Sequence, residues 1–396
     1  MNILSICPIL PYPLIDGGRR NVFFPLKHLT NRGHRIQLAC LTVDNNAGAR
    51  RALEQYFEIH VVVHPAKKAL MAGAFRSVFR TIPYVLSRNH SELLLSAVFK
   101  AAEQGVDLVQ IEGIHAAWYG LEVKKWFGIP VILRLHNLES SNLRTYVPFH
   151  PNPLARSFLK LELRKLIDYE RSVFGLFDRV LPVSHDDEQD LLMIAPGART
   201  VVIPVGVDTD YFRPVPTQED PGSILWLGSL QWLPNRDSLF WFYREILPIL
   251  VKALPSVIVR VAGSVSADVR KKFVHPNLTF LGEVDDIRPL AAASQVCVVP
   301  LRAGSGIRMK ILEFFAMGKA VVSTTVGAKG LDVAPGVHLL CADDPSAFAD
   351  RVIHLLKVPG DRARYGKAGR NLVESRYSWD TVTDGFERVY EKLGSS

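Results

Sequence analysis

The chain has 396 residues, 48% of them apolar and 22% charged, with 27 Gly and 25 Pro dispersed along its length. That composition excludes a disordered chain, a collagen-like repeat and a coiled coil, and the length suits two domains of about 200 residues better than one or three. Lys and Arg outnumber Asp and Glu by 47 to 39, a net charge of +8 that permits an anionic partner without demanding one.

From the N-terminus, short apolar runs alternate with stretches of helical period. Asn2–Cys7, Arg35–Val43, Ile59–Val63, Asp107–Ile111, Pro130–Leu135, Arg179–Val183 and Thr200–Pro204 are expected as strands. Arg20–Asn31, Glu92–Glu103, Ala116–Phe127 and Leu154–Phe174 are expected as helices between them. Arg213–Gly222, rich in Pro and polar residues, reads as a linker. The alternation then restarts with Ser223–Leu227, Val257–Ala262, Leu278–Leu281, Val296–Pro300, Ala320–Ser323 and Val337–Leu340. Near-continuous Val, Ile and Leu runs separated by helices indicate parallel sheets covered on both faces. The fold class is therefore α/β, with two doubly wound parallel-sheet domains at 1–212 and 223–376 joined by the linker 213–222. The last stretch, 377–396, carries Trp379, Val382, Phe386, Val389 and Tyr390 at helical spacing. A terminal helix packing back on the first domain suits that stripe, and so does a plain core-facing helix.

No stretch reaches the roughly 18 uninterrupted apolar residues of a spanning helix. The N-terminus lacks a basic leader and is broken by Pro8, Pro11 and Pro13, so neither a signal peptide nor a transmembrane segment is read there. Cys7, Cys40, Cys297 and Cys341 lie in apolar runs without CxxC spacing, which predicts free thiols in a cytoplasmic chain. Within 65–88, the basic residues Lys67, Lys68, Arg76, Arg80 and Arg88 meet no acidic residue and mix with Leu70, Met71, Phe75, Val78, Phe79 and Val85. Such a window suits a helix lying on an anionic membrane surface, as in a peripheral membrane protein; a surface helix packing on the chain's own core explains it as well.

In open α/β sheets ligands bind beyond the carboxyl ends of strands, so the turns there carry the chemistry. After the first strand, Gly17-Gly18-Arg19 joins paired glycines to a helix start, where backbone and unpaired N–H groups can approach a ligand. It is not GxGxxG, and a structural glycine turn fits too. After Pro300, Gly304-Ser305-Gly306-Ile307-Arg308-Met309-Lys310 opens a helix expected to run to about Met317 and stop at Gly318. A positive helix end with Arg308 and Lys310 is a natural seat for a pyrophosphate, and Glu313, two turns in, suits ribose hydroxyls. Solvated pairing of Arg308, Lys310 and Glu313 is the plainer alternative. His136, closing the strand from Pro130, and Glu112 with His115, closing the strand from Asp107, are polar groups at strand ends. Asp208-Thr209-Asp210 reads as a polar turn rather than a metal motif, and Asp186-Asp187-Glu188 after Ser184 as a capped helix start, so no metal is expected.

Several segments, in this order, resemble the GT-B retaining glycosyltransferases, the large family numbered four. They are PYPLIDGGRRNVFFPLKHLTNRGHRIQL, RLHNLESSNL, LPVSHDDEQDL, VVIPVGVDTDYF, ILWLGSLQWLPNRDSLFWF, VAGS, FLGEVDDIRPLAAASQVCVVPL and GSGIRMKILEFFAMGKAVVSTTVGAKGL. The resemblance implies two Rossmann-like domains facing a central cleft. It also implies metal-independent sugar transfer, with retention, from a nucleotide-diphosphate sugar to a glycan, lipid-linked or small-molecule acceptor, as in cell-surface polysaccharide synthesis. No cofactor and no nucleic acid partner is implied. By position, Gly18 would approach the donor phosphates or sugar, and His136 the donor sugar's hydroxyls. Glu313 would bind ribose, and Gly327 would line the phosphate side with the residues up to Leu331.

Two departures stand out. The first glutamate of the family's E-x7-E element is replaced by Ser305, eight residues before Glu313. The Arg and Lys that usually follow the first C-domain strand are absent from Gly228-Ser229-Leu230-Gln231-Trp232. Arg308 and Lys310 are expected to neutralise the pyrophosphate instead. A non-catalytic nucleotide-sugar or glycan binder of the same fold is the alternative, whereas an NAD-linked oxidoreductase lacks its GxGxxG fingerprint.

Overall fold

The structure, a computed structural model, describes residues 1–14, 16–44, 46–64, 81–147, 152–304 and 306–394. The chain divides into two compact units, Met1–Gly206 with Val382–Ser396 and Val207–Thr381.

In the first unit β1 (Asn2–Cys7), β2 (Arg35–Thr42), β3 (Glu58–Val63), β4 (Leu108–Glu112), β5 (Val131–Arg134) and β6 (Arg179–Leu181) form a parallel sheet ordered β3-β2-β1-β4-β5-β6. The second unit repeats the plan with β7 (Ser223–Leu227), β8 (Ile258–Ala262), β9 (Leu278–Gly282), β10 (Val296–Val299), β11 (Val321–Ser323) and β12 (Leu340–Cys341), ordered β12-β11-β10-β7-β8-β9. Every pairing is parallel, so each strand returns through a crossover, and the central strands are buried on both faces. Each sheet reverses its winding beside its own first strand, between β1 and β4 and between β7 and β10. Crossovers diverge there, which opens a crevice at the carboxyl ends.

Local chemistry sets the elements. The helix Gly17–Asn31 begins at Gly17 because Asp16 caps it, its Oδ1 accepting from the Arg19 amide at 2.9 Å. Ser184 caps His185–Ile194 in the same way, with Asp186, Asp187 and Glu188 in the first turn. Asp208 closes the expected polar turn, its Oδ1 accepting from the Asp210 and Tyr211 amides at 3.1 and 2.8 Å. The four cysteines are free thiols, Cys7 and Cys40 lying opposite each other across β1 and β2.

Two expected strands change. Thr200–Pro204 makes only one bridge, Val180 to Thr200. Val201 and Ile203 donate to Val180 and Pro182, but Pro182 has no N–H to return, so the ladder stops. The run Val337–Leu340 gives way to Leu340–Cys341, because Pro335–Leu339 folds into a tight turn about Gly336 at φ +82°.

Residues 207–222 belong to the second unit and are tied down within it. Arg370 Nη1 donates to the carbonyls of Thr209, Phe212 and Ala316 at 3.0, 2.9 and 2.5 Å. Glu219 pairs with Lys319 at 2.7 Å and Arg362 at 3.1 Å, and Asp220 with Arg260 at 2.5 Å. Of the window 65–88, residues 65–80 lie outside the described residues; Ile82 and Val85 beyond them are exposed. Among the described residues no helix is long and apolar enough to cross a membrane.

The terminal helix Trp379–Gly394 supplies Val382, Phe386, Val389 and Tyr390 as buried residues of the first unit. Replacing Phe386, fully buried, by Ala is expected to cost about 3–5 kcal/mol. Urea unfolding followed by a probe in the first unit checks this, and an unchanged midpoint would remove the helix from that unit's core.

Candidate functional site

The polar groups singled out in the sequence gather at the two switch points. In the second unit the β7 end is built on a close backbone approach. A Cβ on Gly263 would stand 2.1 Å from the Gly228 carbonyl oxygen, and one on Gly228 would stand 2.6 Å from Asn235 Nδ2 and 3.0 Å from Lys310 Nζ. Gly228 and Gly263 also hold positive φ, +155° and +135°, so only glycine fits either place without strain. Ser229 and Ser264 hydroxyls meet at 2.6 Å, and the Leu230 amide donates to the Ser264 carbonyl at 2.8 Å.

The β10 loop arrives beside them. Gly304 and Gly306 take φ of +120° and +78°; Ile307 is half-buried, and Ser305 lies outside the described residues. The helix runs Met309–Ala316 and ends before Gly318 at φ +68°, so Arg308 occupies its N-cap position and Lys310 its second residue. Glu313 therefore lies one turn in, not two, and is buried. Arg308 Nη1 donates to the Gly306 carbonyl at 2.7 Å, and its guanidinium stands 5.8 Å from the ring centre of Trp232, which is 43% exposed. Lys310 Nζ donates to the Leu227 carbonyl at 2.5 Å and contacts Asn235 Oδ1 at 3.4 Å. Burial lowers the Arg308 guanidinium to about 10. Burial and then the Arg308 charge lower Lys310 to about 7, with Glu313 opposing. Two cations thus converge at a helix start, an arrangement that suits a multivalent anion. Gly327 is buried in the short helix Thr325–Ala328, its amide donating to the Thr324 hydroxyl at 2.9 Å; a Cβ there would meet Ser323 Oγ at 2.3 Å and the Val299 carbonyl at 2.7 Å.

In the first unit, Gly17 and Gly18 form the opening turn of the first helix. Gly17 has open space where a Cβ would be, and at Gly18 that position is 3.3 Å from Asp16 Oδ1. Arg19 pairs with Asp16 at 2.5 Å and donates from Nε to the Leu10 carbonyl at 3.4 Å, while Arg20 Nε donates to the Leu14 carbonyl at 3.1 Å. Both arginines thereby brace the loop that follows β1. Glu112, at the end of β4, is fully buried beside Arg134, its register partner on β5. Its Oε2 lies 3.5 Å from Arg134 Nη1 and 3.0 Å from His136 Nε2. Burial acts to raise the Glu112 carboxyl, but Arg134, His136 and Gln110 together hold it below the usual range. Burial pushes His115 below the ordinary imidazole value, Glu139 opposing and His136 adding to the effect.

The sequence does not single out Asn235 or Ser264, and it marks Arg134 only as part of the polar cluster Arg134–Asn137 that closes its strand. Each acts through a partner distant along the chain, and only the pairing of Arg134 with Glu112 had a trace, since two charged residues close neighbouring buried runs.

Two family models match, Glycosyl transferases group 1 over residues 221–358 and Glycosyltransferase Family 4 over residues 15–211. The chain belongs to the GT-B glycosyltransferases. An uncharacterized 44.6 kDa protein in the cps region of Klebsiella pneumoniae is 22% identical over 372 residues, 90% of this chain and 91% of that one. A phosphatidyl-myo-inositol mannosyltransferase of Mycobacterium tuberculosis is 30% identical over 219 residues, 52% of this chain and 57% of its own length. Among solved structures, sucrose-phosphate synthase from Thermosynechococcus elongatus aligns with a TM-score of 0.73 at 18% identity, and Anabaena HepE in complex with UDP with 0.72 at 17%, each covering 100% of both chains. At those identities the structures establish the shared fold. This glycosyltransferase thus carries its family's architecture with a β7 turn that lacks basic residues, and Arg308 and Lys310 stand at the start of the helix that follows β10.

The lowered Lys310 value has a consequence for stability. Unfolding returns the amine to its ordinary 10.5, so from about 7 to 10.5 the unfolded chain binds the extra proton and stability rises with pH. That gain is lost progressively as pH falls from about 10.5 and is gone below about 7. The melting temperature of Lys310→Met should accordingly depend less steeply on pH than that of the wild type between these limits. Parallel curves would show that Lys310 does not titrate there.

Proposed function

We propose that this glycosyltransferase moves a hexose from a nucleoside-diphosphate sugar to a glycan or lipid-linked acceptor, with retention at the anomeric carbon and without a metal ion, as members of family four do. The observation that carries the reading is the convergence of Arg308, Lys310 and the start of Met309–Ala316 on the glycine-lined end of β7. The bound UDP of the HepE structure and the mannosyltransferase relatives agree with a nucleotide-sugar donor and a lipid-linked acceptor.

The chemistry follows from charge. As the bond between the anomeric carbon and the diphosphate oxygen breaks, negative charge gathers on the leaving group, and Arg308, Lys310 and the helix amides stabilise it. The acceptor oxygen bonds to that carbon on the same face, and its proton leaves with the diphosphate. Glu313 binds the ribose, while Gly228, Ser229, Gly304, Gly306, Ile307 and Gly327 line the donor site. Gly17, Gly18, Arg19 and His136 serve the sugar and acceptor side, His136 meeting hydroxyls of the transferred sugar, whereas Glu112, expected there from the sequence, is buried beneath His136 and reaches no acceptor. A cytoplasmic setting suits nucleotide-sugar chemistry, and the basic window 65–88 suits an anionic membrane surface carrying the acceptor.

A thermal-shift panel of nucleoside diphosphates, with magnesium and with chelator, tests the donor half. A nucleotide at 100 times its dissociation constant adds about 2.7 kcal/mol of stability. One diphosphate is expected to shift the melt equally in both conditions. Arg308→Ala and Lys310→Ala should each weaken it about 10- to 100-fold, as expected for a lost hydrogen bond to a charged group worth roughly 1.5–3 kcal/mol. Wild-type affinity in both variants would overturn the assignment of the cations. Nucleotide binding without transfer to any acceptor would favour the binding-protein alternative.

A further inference from the structure

Beside the two cations the β7 turn sets an aromatic ring. Trp232 stands at the N-cap of the helix Leu233–Trp241, where its side chain makes no capping bond. The backbone around it is pinned. The Leu230 amide donates to the Ser264 carbonyl at 2.8 Å, and Asn235 Nδ2 donates to the Ser229 carbonyl at 2.9 Å. Arg236 donates from its amide to the Trp232 carbonyl and from Nε to the Leu230 carbonyl, both at 3.1 Å. The indole is held as well. Its Cη2 and Cζ2 lie 3.1 and 3.4 Å from where a Cβ on Gly304 would stand, so the ring rests against a bare glycine, and the Arg308 guanidinium lies 5.8 Å from its centre. Yet Trp232 is 43% exposed and Leu233 beside it 55%. A ring fixed in place and left open to solvent next to two cations is preorganised to meet a ligand.

We infer, on the reading of Arg308 and Lys310 as the diphosphate seat and of Glu313 as the ribose ligand, that the exposed face of Trp232 stacks on the sugar being transferred. A nucleotide sugar carries a different group at each end of its diphosphate, the nucleoside at one and the sugar at the other. Glu313 lies five residues beyond Arg308 along the helix, about 7.5 Å at the helical rise. With the ribose on the Glu313 side, the sugar leaves the diphosphate on the other side of Arg308, where Gly304 and the indole stand. The faces of a pyranose are made largely of C–H groups. These pack on the electron-rich face of an aromatic ring, while the hydroxyls point outward round the edge. Gly304 belongs to the same arrangement. A side chain there would displace the ring, and its φ of +120° already admits none without strain.

Titration calorimetry on the full chain compares UDP-glucose, ADP-glucose, dTDP-glucose and GDP-mannose, each beside its own diphosphate. A nucleotide sugar that the wild type binds should bind Trp232→Ala about 5- to 10-fold more weakly, the scale of one aromatic contact. Its diphosphate should keep its affinity within twofold, and Trp232→Phe should recover most of the loss. Tryptophan emission gives a second measure that does not need the alanine variant. The nucleotide sugar should change wild-type emission beyond the change caused by its diphosphate, and Trp232→Phe should erase that difference. Equal weakening of diphosphate and nucleotide sugar in Trp232→Ala would put the ring on the nucleoside or the phosphates and overturn the proposal. Unchanged affinity for both, or an emission difference that persists in Trp232→Phe, would overturn it too, with the diphosphate seat left standing. A wild type that binds none of the four pairs would sink the functional reading and this inference with it.

Discussion

A parallel sheet cannot be closed by hairpins, and each strand has to be reached by a crossover from the face above or below. Here each unit lays down its first strand, winds outward in one direction, and then returns to wind the other way. The first strand therefore ends up in the interior of the sheet with diverging connections on either side. That constraint, more than any single side chain, decides where a ligand can sit. Within the first unit the loops after β1 and β4, and within the second those after β7 and β10, meet at the carboxyl ends, and the rest of the candidate chemistry lies on adjoining loops, His136 after β5 and Gly327 after β11.

Within that frame the two units use charge in opposite ways. The second unit gathers two cations at a helix start and partly desolvates them, which lowers the pKa of both. The first unit places its cation, Arg134, wholly inside and compensates it with Glu112. Removing either member of such a pair costs far more than the pair contributes, because the survivor is left charged and unsolvated. One arrangement sets its cations at a helix start; the other compensates its cation with a buried carboxylate.

Most of the sheet was legible in the sequence, because a strand buried on both faces has to be an apolar run bounded by turn residues. The errors fell where a partner decides the outcome. Thr200–Pro204 has the right composition, yet Pro182 on the neighbouring strand withholds the donor that a ladder needs. The glycine loop before Arg308 was legible as a site because glycine, cation and helix start follow one another along the chain. Asn235 was not, since its value comes from Ser229 and Lys310, which the fold alone brings to it. Glu112 could be picked out as a polar strand end, but its direction could not: only the register of β4 on β5 turns it inward to Arg134.

The path of the chain has a practical side. It leaves the first unit at Gly206 and comes back at Val382, so that unit is made from two separated pieces of sequence. An isolated first unit would have to join 1–206 to 382–396 through a short artificial connection. Stopping at Gly206 would strip the Phe386 ring from Arg134 and the Tyr390 hydroxyl from Gln110. The second unit, running unbroken from Val207 to Thr381, can be cut out with two ends and no splice.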